Sequence, residues 1–469
     1  MSDPVVKHLL EGKAGFLEKL AELISCQSVS TDSGFAEGME KARVFLEKSL
    51  VKAGFANVRR LHGGGNPAIY ADYAGKPGKP TLIVYGHYDV QPPDPLRLWK
   101  SEPFAMDIRE NRIYGRGASD DKGPTLIALE TLAAFLEIEK ELPFNVKILL
   151  EGEEETGSPS MKTILSENKD LLAADAVLSA DGARWRADLI TLNTGTRGNG
   201  GLEFRVRTAC KDLHSGRYGG IAPNALHVIS GIVNGFRDNN GRITIPGFYD
   251  GVRELNAEEK KELAEIPMDE AKLFHDLESY PFGEDGYGFL ERLWHRPTLE
   301  VNGLWGGYTG KGSKTVIPNE AFAKITSRLV PGQDPVRIQK QIIRHLQSVC
   351  PAGAKLDITS ERNWFRATSV PQNHPLLNAA ENSLIKTTGV RPRLVRIGAS
   401  LPLIGLVEEQ LGINTVMFSY STADEDYHAP NEFLRMSSLD EGFKGWTEII
   451  RQIGKQSAEN YSRFKNNVD

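Results

Sequence analysis

Apolar residues recur at helical spacing near the start of the chain, through Leu9, Phe16, Leu20, Leu23 and Ile24. They recur again through Ala42, Phe45, Leu46, Leu50 and Ala53, where Gly54 supplies a stop. Two opening helices are expected. The pattern then shortens to apolar runs over 57–61, 68–73 and 81–85, which read as strands. A longer apolar stretch over 125–136 reads as a helix, and runs over 146–150 and 176–179 read as further strands. Buried strands alternating with helices predict an α/β layer architecture whose sheet is covered on its faces. From about Gly201 the texture changes, because Leu202, Phe204 and Val206 alternate with Glu203, Arg205 and Arg207, the mark of a half-exposed strand. Helices are expected over 224–236 and 336–349, the latter capped by Asp334 with Pro335 in its first turn, both on one face of the second sheet. The acidic, aromatic-bearing stretch 245–296 reads as an irregular insertion. Residues 370–375 look like a crossing linker, after which a helix (376–386) and a buried strand (415–419) return.

The expected fold is therefore α/β. A catalytic domain with a mostly parallel, helix-covered sheet is built from residues 1–197 and 373–469 and interrupted by a smaller α+β domain over 198–372. At 469 residues the chain is too long for one core. Its 56 Lys and Arg against 62 Asp and Glu leave a net charge of -6 with both signs dispersed, which argues against a nucleic-acid partner. No run of 18 apolar residues and no basic-then-apolar start is present, so a soluble, cytoplasmic protein without a membrane partner is expected. Cys26, Cys210 and Cys350 are scattered and odd in number, so any metal must be held by His, Asp and Glu.

Polar signatures stand where the strands end, the position at which open α/β sheets place ligands. In Tyr85–Pro92, His87 and Asp89 are two apart, which on an extended strand puts both on one face, with the carboxylate able to orient the imidazole. The same octapeptide also fits a surface turn with a chance histidine. In the glycine-rich segment 114–124, Asp121 reads as a helix cap and Asp120, at the mouth of the loop, as a ligand candidate. Glu153-Glu154-Glu155 follows a buried strand, where three like charges repel unless they face water or a cation. Asp181 ends another strand, and His428 lies in the acidic segment 424–432. Together these supply an oxygen-and-nitrogen donor set suited to two divalent ions, with a further carboxylate to spare as general base.

The ordered set of motifs resembles the aminoacylase/carnosinase family of di-metal metallopeptidases. That family also holds the bacterial glutamate carboxypeptidase, succinyl-diaminopimelate desuccinylase and dipeptidases acting on Cys-Gly or carnosine. The resemblance runs through essentially the whole chain. It implies His87 and Asp181 on one metal, Glu155 and His428 on the other, Asp120 bridging, Glu154 as general base and Asp89 orienting His87. The segment 211–216 resembles the motif of the family's lid and dimerisation domain, implying a homodimer in which His214 reaches the active site across the interface. The segments 312–318 and 326–331 resemble those binding the substrate's carboxylate, which makes Arg328 the anchor, with Thr315 and Ser400 beside it as substrate-binding candidates. One departure stands out: in 396–402 the expected Arg-Glu-Gly-Gly is replaced, with Ile397 for Glu and Ala399 for Gly. An acidic group is thereby lost near the substrate's amino end. The implied activity is metal-dependent hydrolysis of small amides with a free C-terminal carboxylate, dipeptides foremost, with zinc ahead of manganese or cobalt as the ion. N-acyl or otherwise modified amino acids are the alternative substrates, and an inactive binding protein on the same fold is a third reading.

Overall fold

The computed structural model describes residues 3–360, 364–398 and 401–465. Its contacts divide the chain into two compact units, one of residues 1–194, 370–395 and 401–469 and the other of residues 195–369 and 396–400.

The first unit is built on a six-stranded sheet of β1 (Ala56–Leu61), β2 (Ala68–Tyr73), β3 (Thr81–His87), β4 (Asn145–Glu151), β5 (Ala176–Ser179) and β6 (Thr415–Met417), in the order β1-β2-β4-β3-β5-β6. β4, β3, β5 and β6 run parallel, and β1 and β2 are antiparallel additions at one edge. Successive strand residues point to opposite faces, and the sheet's two cores follow that alternation. Leu82, Val84, Val146, Ile148 and Leu178 face a core completed by the helices Lys13–Ser25, Ala36–Ala53, Lys122–Ile138 and Met436–Gly454. Ile83, Tyr85, Leu149 and Val177 face another, completed by Met161–Glu167 and Pro402–Leu411. Both faces are thus covered, and the carboxyl ends of four parallel strands open on one side. Gly86 lets β3 approach the helix Lys122–Ile138 closely, since a Cβ there would stand 1.9 Å from Thr125 Oγ1.

The second unit holds a four-stranded antiparallel sheet in the order Thr298–Gly306, Glu320–Leu329, Gly198–Arg207, Lys355–Ser360. Leu202, Phe204 and Val206 pack with Ile229 and Ile232 of the helix Ala225–Asn234 and with Ile338, Ile342 and Leu346 of Pro335–Val349, so both helices share one face. Asp334 caps the latter through the Val336 N–H at 2.9 Å.

Three expectations are corrected. The opening helical pattern is two helices, Pro4–Glu11 and Lys13–Ser25, broken at Gly12, so among the described residues three α-helices precede the first strand. Asp121 occupies the cap position of Lys122–Ile138 but does not cap it: its carboxylate accepts from the His87 N–H at 3.2 Å and from Thr125 Oγ1 at 2.7 Å. The 245–296 stretch contains the helices Ala257–Ala264, Glu270–Asp276 and Phe289–Trp294. The first two bury no residue fully, so no apolar period marks them, and their signals are local, in the Asn256–Glu259 capping box and the Asp269 cap.

The linker histidine His374 is fully buried against the rings of Tyr461 and Phe464, and its Nδ1 caps the helix Pro375–Thr388 by accepting from the Leu376 N–H at 3.2 Å. Burial lowers its pKa from 6.5 to about 4. The unfolded chain therefore takes up this proton first, and His374's contribution is full above pH 6.5 and lost as pH falls toward 4. The difference corresponds to roughly 3 kcal/mol at most. His374→Asn, which still caps but does not titrate, is expected to flatten the loss of stability between pH 7 and 4.5, measured by denaturant unfolding of both proteins at each pH.

Candidate metal centre

The candidate side chains of the first unit converge at the carboxyl ends of its parallel strands. β3 ends at His87, a 3-10 turn after β4 carries Glu154 and Glu155, and Asp181 follows β5. Asp120 precedes the helix Lys122–Ile138 through a cis peptide bond to Asp121. His428, with a left-handed φ of 58°, follows β6 by a loop. Asp120 faces two ways, with Oδ1 3.0 Å from His87 Nε2 and Oδ2 3.1 Å from His428 Nε2. His428 Nε2 is also 3.1 Å from Glu155 Oε2. Two groups result, His87 with Asp120 and Asp181, and Asp120 with Glu155 and His428. Within each group the donor atoms all lie within 4.8 Å of one another.

Asp89 does more than sequence spacing conveys. Its main-chain carbonyl is the nearer partner of His87 Nδ1, at 3.0 Å, and its carboxylate lies 3.5 Å from the same nitrogen. That carboxylate also accepts from Ser30 Oγ at 2.7 Å and from the main-chain N–H groups of Glu154 at 3.3 Å and Glu155 at 3.1 Å. The fully buried Asp89 thus ties the His87 strand end to the turn carrying two other site residues. Of the acidic triplet, Glu153 is structural, accepting from the N–H groups of Asn66 at 2.8 Å and Ser160 at 3.2 Å. Glu155 is held by Gln91, whose Nε2 donates at 2.9 Å. Sequence reasoning missed Gln91 and Ser30, since single amide and hydroxyl residues carry no spacing signal.

The electrostatics are those of a surplus of carboxylate. Burial opposes the charged form of His87, yet the Asp120 and Asp89 carboxylates outweigh it and hold its pKa well above 6.5. Hydrogen bonds that the His428 ring donates to the Asp120 and Glu155 carboxylates raise its pKa to about 10. Burial would raise Asp120, but His428 and His87 hold it below the usual carboxylate range. Asp181 is pushed up to about 6 and Glu154 well above 4.5, in each case by burial first and then by neighbouring carboxylates against the opposing pull of His87. The carboxylates of Asp89, Asp120, Glu154, Glu155 and Asp181 share this space with two imidazoles.

The sequence profile of Peptidase family M20/M25/M40 matches residues 83–452. The chain belongs to this family. Among relatives of this M20/M25/M40 peptidase, the human Beta-Ala-His dipeptidase is 30% identical over 404 residues, covering 83% of the chain and 78% of the relative. The Cys-Gly metallodipeptidase DUG1 of Saccharomyces cerevisiae is 27% identical over 473 residues, covering 96% and 97%. The crystal structure of the M20 family metallo-carboxypeptidase Sso-CP2 from Sulfolobus solfataricus superposes with a TM-score of 0.80 at 32% identity, covering 94% of this chain and 99% of that one.

The first unit of this M20/M25/M40 peptidase fits a pair of divalent ions. Two donors each about 2.0–2.1 Å from one tetrahedral ion lie roughly 3.3 Å apart, close to the nitrogen–oxygen separations on either side of Asp120. Divalent charge also offsets the carboxylate surplus. Glu154 belongs to neither donor group.

The remaining candidates of the peptidase lie in the second unit. His214 ends a two-residue strand paired with Val316, beside Thr315, whose carbonyl accepts the Ser215 N–H at 3.2 Å. His214 is exposed, and its Nδ1 accepts from the Gly216 N–H at 3.0 Å, so the neutral ring carries its proton on Nε2. Half-buried Arg328 lies on Glu320–Leu329 opposite Thr298 and Asn199. Ser400 lies outside the described residues.

Proposed function

We propose that this peptidase hydrolyses dipeptides carrying a free C-terminal carboxylate, with His87 and Asp181 holding one divalent ion, Glu155 and His428 a second, and Asp120 both. The observation that carries this reading is Asp120, whose two oxygens each face one histidine beside an uncommitted Glu154. When bound, the ions supply Lewis acidity toward the scissile carbonyl and lower the pKa of water. Glu154 takes the proton of the attacking water and returns it to the leaving amine. Asp89 keeps His87 and the Glu154–Glu155 turn in register. His214 acts in the site of the partner subunit of a homodimer, its Nε2–H donating to the developing oxyanion, and Arg328 anchors the substrate carboxylate through its planar fork. Zinc is the proposed ion, with manganese and cobalt as alternatives, since the N/O donor set accepts all three. Three unpaired, scattered cysteines fit a reducing compartment such as the cytoplasm, and among the described residues no helix is long and apolar enough to cross a membrane.

The substrate reading is tested with β-alanyl-histidine and cysteinyl-glycine, their C-terminal amides, their N-acetyl forms and matching tripeptides. Amidation of the carboxylate is expected to lower kcat/KM by about 10–100-fold, the scale of a lost charge-assisted hydrogen bond. Equal rates on acid and amide would refute the carboxylate anchor. Ile397, standing where an acidic residue was expected, favours a second reading in which the amino end is acylated; faster cleavage of the N-acetyl substrates would establish it.

A further inference from the structure

We infer that Glu432, paired with Arg116, is a positioning residue that sets the placement of Asp120 between the two histidines. The inference rests on the metal reading proposed above. Both side chains are buried, at 0% and 1% exposure, and the glutamate's two oxygens have four donors. Oε2 accepts from Arg116 Nη1 at 2.7 Å and from the Gly117 N–H at 2.8 Å. Oε1 accepts from the N–H groups of Ser119 at 2.9 Å and Asp120 at 3.0 Å. The loop that presents Asp120 is thus wrapped around the carboxylate of Glu432, four residues beyond His428. Arg116 extends the grip, because its Nη2 donates to the Ala429 carbonyl at 3.2 Å and to the Pro92 carbonyl at 3.3 Å. Ala429 adjoins His428, and Pro92 ends the segment bearing His87, Asp89 and Gln91. One buried ion pair therefore joins three of the segments that carry the donors.

Such a pair is a poor source of stability, since its desolvation offsets its attraction. Directed donors fix position, however, and groups behind metal ligands commonly set affinity by 10–100-fold. Glu432→Gln keeps the volume but replaces one acceptor with a donor. The new NH2 group faces main-chain N–H groups of the Asp120 loop, which must move. Cobalt(II) is the probe, titrated into the metal-stripped full-length chain against a competing chelator while its visible absorption reports coordination geometry. Glu432→Gln is expected to weaken cobalt(II) binding by about 10–100-fold, to change the spectrum, and to lower kcat more than it raises KM.

A Glu432→Gln protein that binds two cobalt(II) ions with wild-type affinity and spectrum overturns the inference, even if its metal-free melting temperature falls. If that variant does not fold, Arg116→Lys decides. Lysine keeps the ion pair but loses the reach to Ala429 and Pro92, and a smaller change in the same direction is expected; wild-type affinity and spectrum would overturn the inference. A wild-type chain that binds no cobalt(II) overturns the metal reading and this inference with it, whereas wild-type binding with an unaffected Glu432→Gln defeats the positioning role alone.

Discussion

Glu154→Gln is expected to lower kcat by about 10²–10⁴-fold, the range that a positioned general acid–base group supplies, while two divalent ions per chain remain bound. The separation of the two readouts follows from where Glu154 stands. It lies on the same short turn as Glu155 and is surrounded by the site's carboxylates, yet it contributes to neither donor group. Its main-chain N–H is held by Asp89, so the amide of glutamine is presented at the same place without a proton acceptor of comparable basicity. KM is expected to change little, since the group acts on the water and not on the substrate's carboxylate. Kinetics on a dipeptide together with metal analysis of the same sample check both halves. A variant with wild-type kcat would remove Glu154 from the proton path, and one that lost an ion would make it a ligand instead.

What could be read in the chain before its structure divides along physical lines. Most strands of the central sheet were legible because they are short apolar runs buried on both faces, the largely exposed edge strand Ala56–Leu61 being the exception, and the strand 68–73 and the strand 176–179 have the expected bounds. The parallel arrangement followed from the alternation of strand and helix, and with it the convergence of donors at the strand ends. Short helices with exposed acidic faces left no apolar period, and the break at Gly12 lies inside a period that runs on across it. In the site, His87, Asp120, Asp181 and His428 stood out as ligand types near successive strand ends, whereas the choice of Glu155 from the acidic triplet rested on the family resemblance; the structure brings these five side chains together in two donor groups. Asp121 was misread because a carboxylate before a helix usually caps it, whereas here the cap position faces the close approach of Gly86 and the carboxylate serves the strand. Glu432 and Arg116 were in view as members of polar segments, but nothing in their spacing of 316 residues shows that one wraps the other. Long-range pairing of this kind is a product of topology and leaves no local pattern.

Asp120→Asn is expected to cost still more, with metal content falling from two ions to at most one and activity dropping beyond the loss expected for Glu154→Gln, past about 10⁴-fold. A carboxylate can offer one oxygen to each of two cations. An asparagine amide offers one oxygen and an NH2 group that repels the second, whichever way it turns. In the wild-type arrangement Oδ1 faces His87 and Oδ2 faces His428, so the substitution removes an acceptor from one of the two groups and a negative charge from both. Its effect should also register in folding, independently of catalysis. Ions that bind only the native chain stabilise it by about 4 kcal/mol when present at 1,000 times their dissociation constant. The wild-type protein should therefore gain resistance to denaturant on addition of zinc or manganese, and Asp120→Asn should gain much less. Because the carboxylate beside two imidazoles is also an electrostatic partner in the metal-free chain, the comparison must be the metal-induced increment and not the absolute stability. An undiminished increment in Asp120→Asn would show that Asp120 does not bind the ions.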